Sequence, residues 1–266
     1  MTYRMPTYYI SHGGGPWSYL EGHFANAHQK LADFLRTFPN TLLQKPRGIL
    51  IISAHWEEPE FTVMNGESPG MIYDYGGFPE STYTVSYPAP GSPEIAAEVT
   101  TLIHRAGIPV TTHPTRGFDH GTFVPLSVSY PNADVPVIQL SMRHDYDPNS
   151  HFRLGQALSP LRNSGILILG SGSSFHNLSM FGPQAKTPAR EFDSWLHETM
   201  ALPPDQRQTQ LSRWESAPSA RMAHPREDHL VPLFVVAGAA GNDPATCPLN
   251  DTEFFGGIHL STFKFG

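Results

Sequence analysis

His12, His55 and His176 each close a short apolar run, with a serine just before them: YYISH from Tyr8, ILIISAH from Ile49 and ILILGSGSSFH from Ile166. Runs of this kind, β-branched or aromatic and stopped by small polar residues, read as buried strands opening into loops at their carboxyl ends. In open α/β sheets, ligands sit in the crevice outside those ends. Imidazole is the commonest protein metal ligand, so three histidines delivered to one rim point to a metal-dependent enzyme.

The neighbours of each histidine set out what else it can be. Gly13, Gly14 and Gly15 follow His12 and let the backbone fold tightly around whatever the ring holds. The competing reading is a phosphate-cradling turn, though GGGPW has neither GxGxxG spacing nor a P-loop lysine. His55 lies in SAHWEEPE, where Trp56 can wall an aromatic pocket and Glu57 or Glu58 can orient a ligand from behind; its bland alternative is a satisfied core histidine. His120, in RGFDHGTFVPL, falls at an expected turn into a helix. There the dipole favours neutral imidazole able to polarise a substrate oxygen, or else Asp119 simply caps the helix and His120 is exposed. His176, in GSGSSFHNL, suits a ligand or a general base equally. HPREDHLVPLFVVAGAAG contributes His224 and His229, five positions apart and so poor partners on one helical face. His229 is expected in the first turn of a buried helix, since Pro232 is tolerable only near a helix start; the alternative is that both are surface residues.

To carry these side chains the chain must alternate strand and helix. Strands are expected at 6–11, 48–53, 60–64, 108–112, 135–140, 166–170 and 258–263, and helices at 23–38, 92–106, 121–130, 150–163, 188–201 and 227–239. Ser92 as cap, Pro93 at the first helical position and Glu94 in the first turn mark one helix start clearly. Such alternation implies βαβ units: an α/β fold with a mainly parallel, mixed central sheet and helices on both faces. Two stretches break it, the Gly- and Pro-rich run from Met64 to Gly91, whose length suggests a functional loop, and 203–225. With no repeat, low-complexity tract or linker, residues 1–266 are expected to form a single catalytic domain.

Composition narrows the partners. The net charge of −7, from 17 Lys+Arg against 24 Asp+Glu, argues against nucleic acid. Cys247 is the only cysteine, which excludes an internal disulfide and a cysteine-rich zinc site and suits a reducing cytoplasm. The first residues carry no apolar signal-peptide segment, and no run approaches the roughly 18 apolar residues of a membrane span, so no membrane partner is expected. The sequence carries no signal for oligomeric state.

Seven motifs then fall into a recognisable order: SHGGGP, SAHWEE, DYGGFPE, YPAPGSPE, GFDHGTFVPL, GSGSSFHNL and HPREDHLVPLFVVAGAAG. Over nearly its whole length the chain resembles the class III extradiol ring-cleavage dioxygenases, the superfamily of the protocatechuate 4,5-dioxygenase catalytic subunit, and most of all the 4,5-DOPA extradiol branch. The resemblance implies that His12, His55 and His229 hold a metal, His176 is the acid/base and His120 contacts substrate or oxygen. The protocatechuate enzymes use a glutamate where this chain presents His229, as the DOPA branch does. Two histidines and a carboxylate are usual for non-haem Fe(II) oxygenases, whereas three histidines also suit zinc. One Fe(II) is expected for activity, with Zn(II) in the resting or purified protein, where His176 can be a fourth ligand. The implied reaction cleaves a small aromatic diol, DOPA-like or related, with O2 to a muconic semialdehyde. Trp56, Phe78, the 64–91 loop and His224 are expected near substrate, and Arg116, His224 or Arg226 near a carboxylate tail. A zinc hydrolase and a non-enzymatic scaffold of the same fold are the alternatives.

Overall fold

The computed structural model describes residues 3–266. Among them the strands are β1 (Thr7–Ser11), β2 (Gly48–Glu58), β3 (Phe61–Met64), β4 (Val110–His113), β5 (Val137–Arg143), β6 (Ile166–Gly172), β7 (Ala245–Phe254) and β8 (Ile258–Phe265). They form one mixed sheet in the order β4-β3-β5-β2-β6-β1-β8-β7. The four central strands, β5, β2, β6 and β1, are parallel neighbours. β6 is buried at every residue, the pattern of a parallel strand covered on both faces. The antiparallel hairpin of β7 and β8 closes one side by pairing β8 with β1.

The helices are α1 (His23–Ala27), α2 (Gln29–Thr37), α3 (Pro93–Arg105), α4 (His120–Ser129), α5 (Pro148–Leu158), α6 (Lys186–Met200), α7 (Pro204–Leu211), α8 (Ala220–Ala223) and α9 (Val231–Ala240). Ser92 caps α3 by accepting from the Ile95 N–H, and Asp119 caps α4 by accepting from Thr122. α9 is buried along its whole length and lies between α5 and strands β6, β1 and β2.

Several elements depart from the sequence expectation, the short helix α8 among them as an addition. β2 runs on to Glu58, so His55 lies within a strand rather than after one. The helix expected over 23–38 breaks at His28, whose Nδ1 hydrogen-bonds the Phe24 carbonyl. α9 begins at Val231, with Pro232 in its first turn, which leaves His229 in the turn before it and not in the helix. The strand β7 and the helix α7 are additional.

Candidate metal centre and active site

The order β2-β6-β1 sets three parallel strands side by side, so their carboxyl ends share one rim. His12 directly follows β1, its N–H donating to the Gly172 carbonyl at the end of β6 (3.2 Å). In β2 the register with β5 shifts between Ile52 and Glu57, an irregularity of the kind that re-aims side chains beside a site. His55 sits inside that shift. His176 lies in the loop after β6, where its N–H donates to the Ala223 carbonyl (2.9 Å). The turn carrying His229 rests on the end of β6: the His229 carbonyl accepts from Tyr9 Oη (2.7 Å) and the Ser173 N–H (3.1 Å). A Cβ on Gly172 would collide with that carbonyl.

All five histidines meet in one cavity of about 540 Å³. The ring centroids of His12, His55 and His229 form a near-equilateral triangle, with sides of 4.9, 5.0 and 4.9 Å. His120 packs on His55 (3.9 Å between centroids) and His176 stacks on His229 (3.4 Å, 10° between planes). Ligand atoms of His12, His55 and His120 lie within 4.8 Å of one another, and so do those of His176, Asp228 and His229.

Burial pushes the imidazoles of His12, His55 and His229 well below the usual histidine range, and their mutual proximity adds to it. The same cause, with a smaller contribution from His120, lowers His176 to about 4. These four rings are therefore neutral.

Which nitrogen of each ring is free follows from its partners. His12 Nδ1 faces its Gly13 carbonyl at 2.8 Å, and His55 Nδ1 lies 3.3 Å from Asp74 Oδ2. Both rings thus carry their proton on Nδ1 and turn lone pairs toward each other, Nε2 to Nε2, at 3.3 Å. His120 Nδ1 donates to Asp74 Oδ1 at 2.9 Å, which leaves its Nε2 free. His229 is 2 % exposed, and neither ring nitrogen makes a hydrogen bond, although Nδ1 lies 3.2 Å off line from Asp228 Oδ2. Lone pairs facing across a buried gap and a buried ring without partners are costly arrangements. A cation ligated by imidazole relieves both, so the residues present fit a metal ion.

The 64–91 loop supplies a part to which the DYGGFPE motif assigned no role. It is strapped to the segment before α4 by Ile72 N–H to Phe118 O and Phe118 N–H to Gly70 O, both 2.8 Å. That brings Asp74 under His55 and His120, where Oδ1 also accepts the His120 N–H at 2.9 Å. Burial acts to raise the Asp74 carboxyl, but the hydrogen bonds and charge of His120 outweigh it and hold the carboxyl below its ordinary value. Behind it, buried Asp119 accepts from Ser53 Oγ (2.7 Å), from Arg116 (3.0 Å) and from Gln139, tying β2, α4 and β5 together beneath the site.

Phe78 lines the cavity as expected, packed against Gly15; that residue has φ +49° and leaves no room for a Cβ beside the ring. Trp56 and His224 do not line it, which corrects the expectation for both. Trp56 is buried, its Nε1 donating to Glu58. His224 is fully enclosed between the Phe192 and Trp214 rings, 3.1 Å from the Ser174 carbonyl, and burial takes it down to about 3. Tyr75 lines the cavity as part of the 64–91 loop, and Phe24 and Asp228 line it without having been anticipated. Asp228 had one available signal, adjacency to His229.

A parallel sheet that gathers histidines at its strand ends around an aromatic cavity defines an α/β metalloenzyme. Residues 6–257 match the family described as the catalytic LigB subunit of aromatic ring-opening dioxygenase. The 4,5-DOPA dioxygenase extradiol of Mirabilis jalapa is 36% identical, over 97% of this chain and 96% of its own. The Escherichia coli K12 protein of the same description is 33% identical, over 99% and 95%. The crystal structure of an uncharacterized Escherichia coli K12 protein superposes with a TM-score of 0.78 at 29% identity, covering 99% of this chain and 100% of that one. The chain belongs to the LigB family of class III extradiol dioxygenases; it is a metal-dependent oxygenase whose substrates are an aromatic compound and O2. Among the described residues no helix is long and apolar enough to cross a membrane.

Proposed function

We propose that residues 1–266 form one catalytic domain of a cytoplasmic enzyme that cleaves a catechol, DOPA-like or related, beside its two hydroxyls to give a muconic semialdehyde. His12, His55 and His229 are its metal ligands. The observation that carries this set is the triangle of rings in which His229, fully buried, has both nitrogens unpartnered.

Fe(II) is the active metal; when bound, it supplies the redox centre through which the electrons of the diol reach O2. Zn(II), which three imidazoles also suit, occupies the purified protein. His176 has no hydrogen-bond partner for its ring among the described residues and lines the cavity, so it is free to take a proton from a catechol hydroxyl and return it as the ring opens. His120 presents Nε2 as a fixed polar atom toward charge developing on oxygen. Phe78 packs on the substrate ring and excludes water.

The test is anaerobic reconstitution with Fe(II), followed by oxygen uptake over a panel of catechols that includes DOPA. Uptake with the appearance of a yellow semialdehyde is expected. Bound iron without uptake over the whole panel overturns the reading, and a hydrolase would need neither iron nor O2.

A further inference from the structure

The part of the cavity away from the histidines has a composition of its own. Tyr75 lies 5.8 Å from His120, and from it a strip of rings runs outward along the cavity: Phe78, 5.6 Å from Tyr75, then Phe24, 5.9 Å from Phe78, then Phe181, with Phe255 bridging the last two from behind at 5.4 and 5.2 Å. The strip ends at a rim marked by Leu178, which is 73% exposed.

Charge along this wall is one-sided. Apart from the histidines and the Tyr75 phenol, the ionisable groups lining the cavity among the described residues are two carboxylates, Asp74 and Asp228, both at the histidine end, with no lysine or arginine. The nearby cations are committed elsewhere. Arg116 is paired with Asp119 at 3.0 Å and stacked over Trp56, and Arg226 is paired with Glu57 at 2.6 Å and stacked over Tyr146. The N-terminus of α4, the other natural anion site, is also taken: Asp74 accepts the His120 N–H and Asp119 the Thr122 N–H. Of the hydroxyls, Ser173 donates to the Phe175 carbonyl and Tyr75 to Thr82.

From this we infer that the cavity selects catechols whose ring substituent is an apolar alkyl or aryl group and disfavours those with a carboxylate tail. The inference rests on the ring-cleaving reading above and narrows its substrate class to the related catechols, away from DOPA itself, whose tail bears a carboxylate. An apolar tail buries its surface against phenyl rings. A carboxylate there would lose its hydration and meet no cation in return.

The test compares two catechols of similar size, 4-propylcatechol and 3-(3,4-dihydroxyphenyl)propanoate. Their dissociation constants are measured anaerobically by calorimetry on the metal-loaded enzyme, and oxygen uptake is followed separately on both. Binding of 4-propylcatechol at least about tenfold tighter is expected, because an unpaired buried charge discriminates more strongly than a missing methylene. Phe181→Arg, at the rim, should narrow that ratio by supplying a counter-charge. Equal or tighter binding of the propanoate, or a ratio that Phe181→Arg leaves unchanged in a folded protein, overturns the inference. If the binding preference holds and neither compound is consumed, the ring-cleaving reading falls and the tail assignment stands. If both are consumed with equal kcat/KM, the tail assignment falls and ring cleavage stands.

Discussion

His28 and His151 are as deeply buried as His12 and His229, yet they live in a different chemical state. His151 donates from Nδ1 to the Asp147 carbonyl (2.8 Å) and accepts the Arg143 N–H at Nε2 (3.2 Å). His28 does the same between the Phe24 carbonyl (2.8 Å) and the Gly14 N–H (3.0 Å). Both rings are complete as they stand and serve as neutral hydrogen-bonded braces. In the strand-end cluster the account does not close: His12 and His55 turn lone pairs on each other, and His229 has no partner at all. Burial alone therefore does not separate a structural histidine from a functional one. Nor does one unpartnered nitrogen, since His224 leaves Nδ1 without a partner away from the cavity; the separation lies in unpartnered nitrogens gathered at one cavity.

The comparison is most exposed at His229. We expect His229→Ala to keep its circular dichroism spectrum and lose its metal and all turnover, while His151→Ala and His224→Ala lower stability and keep metal content per chain. If the His224 variant loses metal and the His229 variant keeps it, the proposed third ligand is wrong. Next in size is His176→Ala, which should retain metal and drop turnover by about 10²–10⁴-fold, the usual contribution of a general acid or base. Loss of metal in that variant would make His176 a ligand. Asp74→Asn sharpens the contrast from the other side. An amide cannot accept from both His55 and His120 without turning a donor on one of them, so one ring changes tautomer. Metal affinity or turnover should fall about 10–100-fold, the scale of losing a carboxylate behind a ligand. Chelator titration and single-turnover oxygen uptake would show which of the two has moved.

The smallest effect concerns pH. Burial lowers His151 from 6.5 to about 4. Its neutral form is the native one, so its contribution is complete above pH 6.5. It is lost as pH falls toward 4, because the unfolded chain takes up the proton first. The swing is on the order of 3 kcal/mol. Denaturant midpoints measured in chelator should fall across that window, and His151→Leu should flatten the slope. An unchanged slope would mean that the ring is not held neutral.

Much of this arrangement was legible in the residues. The apolar runs before His12 and His176 gave strands and loops where the structure has them, and Ser92 and Asp119 announced helix starts through local capping chemistry. β7 was hidden because ATCPLNDTEF is an edge strand, largely exposed and carrying Pro248 where its register with β8 shifts; an edge needs no apolar alternation. α7 was hidden because PDQRQTQL buries only Arg207 and Leu211, too few for a period. His229 was misplaced by a single turn, although Pro232 already marked the helix start. Asp74 opens the DYGGFPE motif, but its role was hidden, since its meeting with His55 and His120 is made by a loop crossing to residue 118, and sequence spacing says nothing of such a crossing.

That loop has a consequence for how such an enzyme diversifies. The carboxylate that orients two histidines and the phenyl ring that walls the cavity sit four positions apart on one strap. A segment exchanged between relatives to alter what is bound therefore carries the setting of the reactive rings along with it. Selectivity and reactivity are inherited as one unit, and a designer who wants to change only the first must work off the strap, at Phe24 or Phe181.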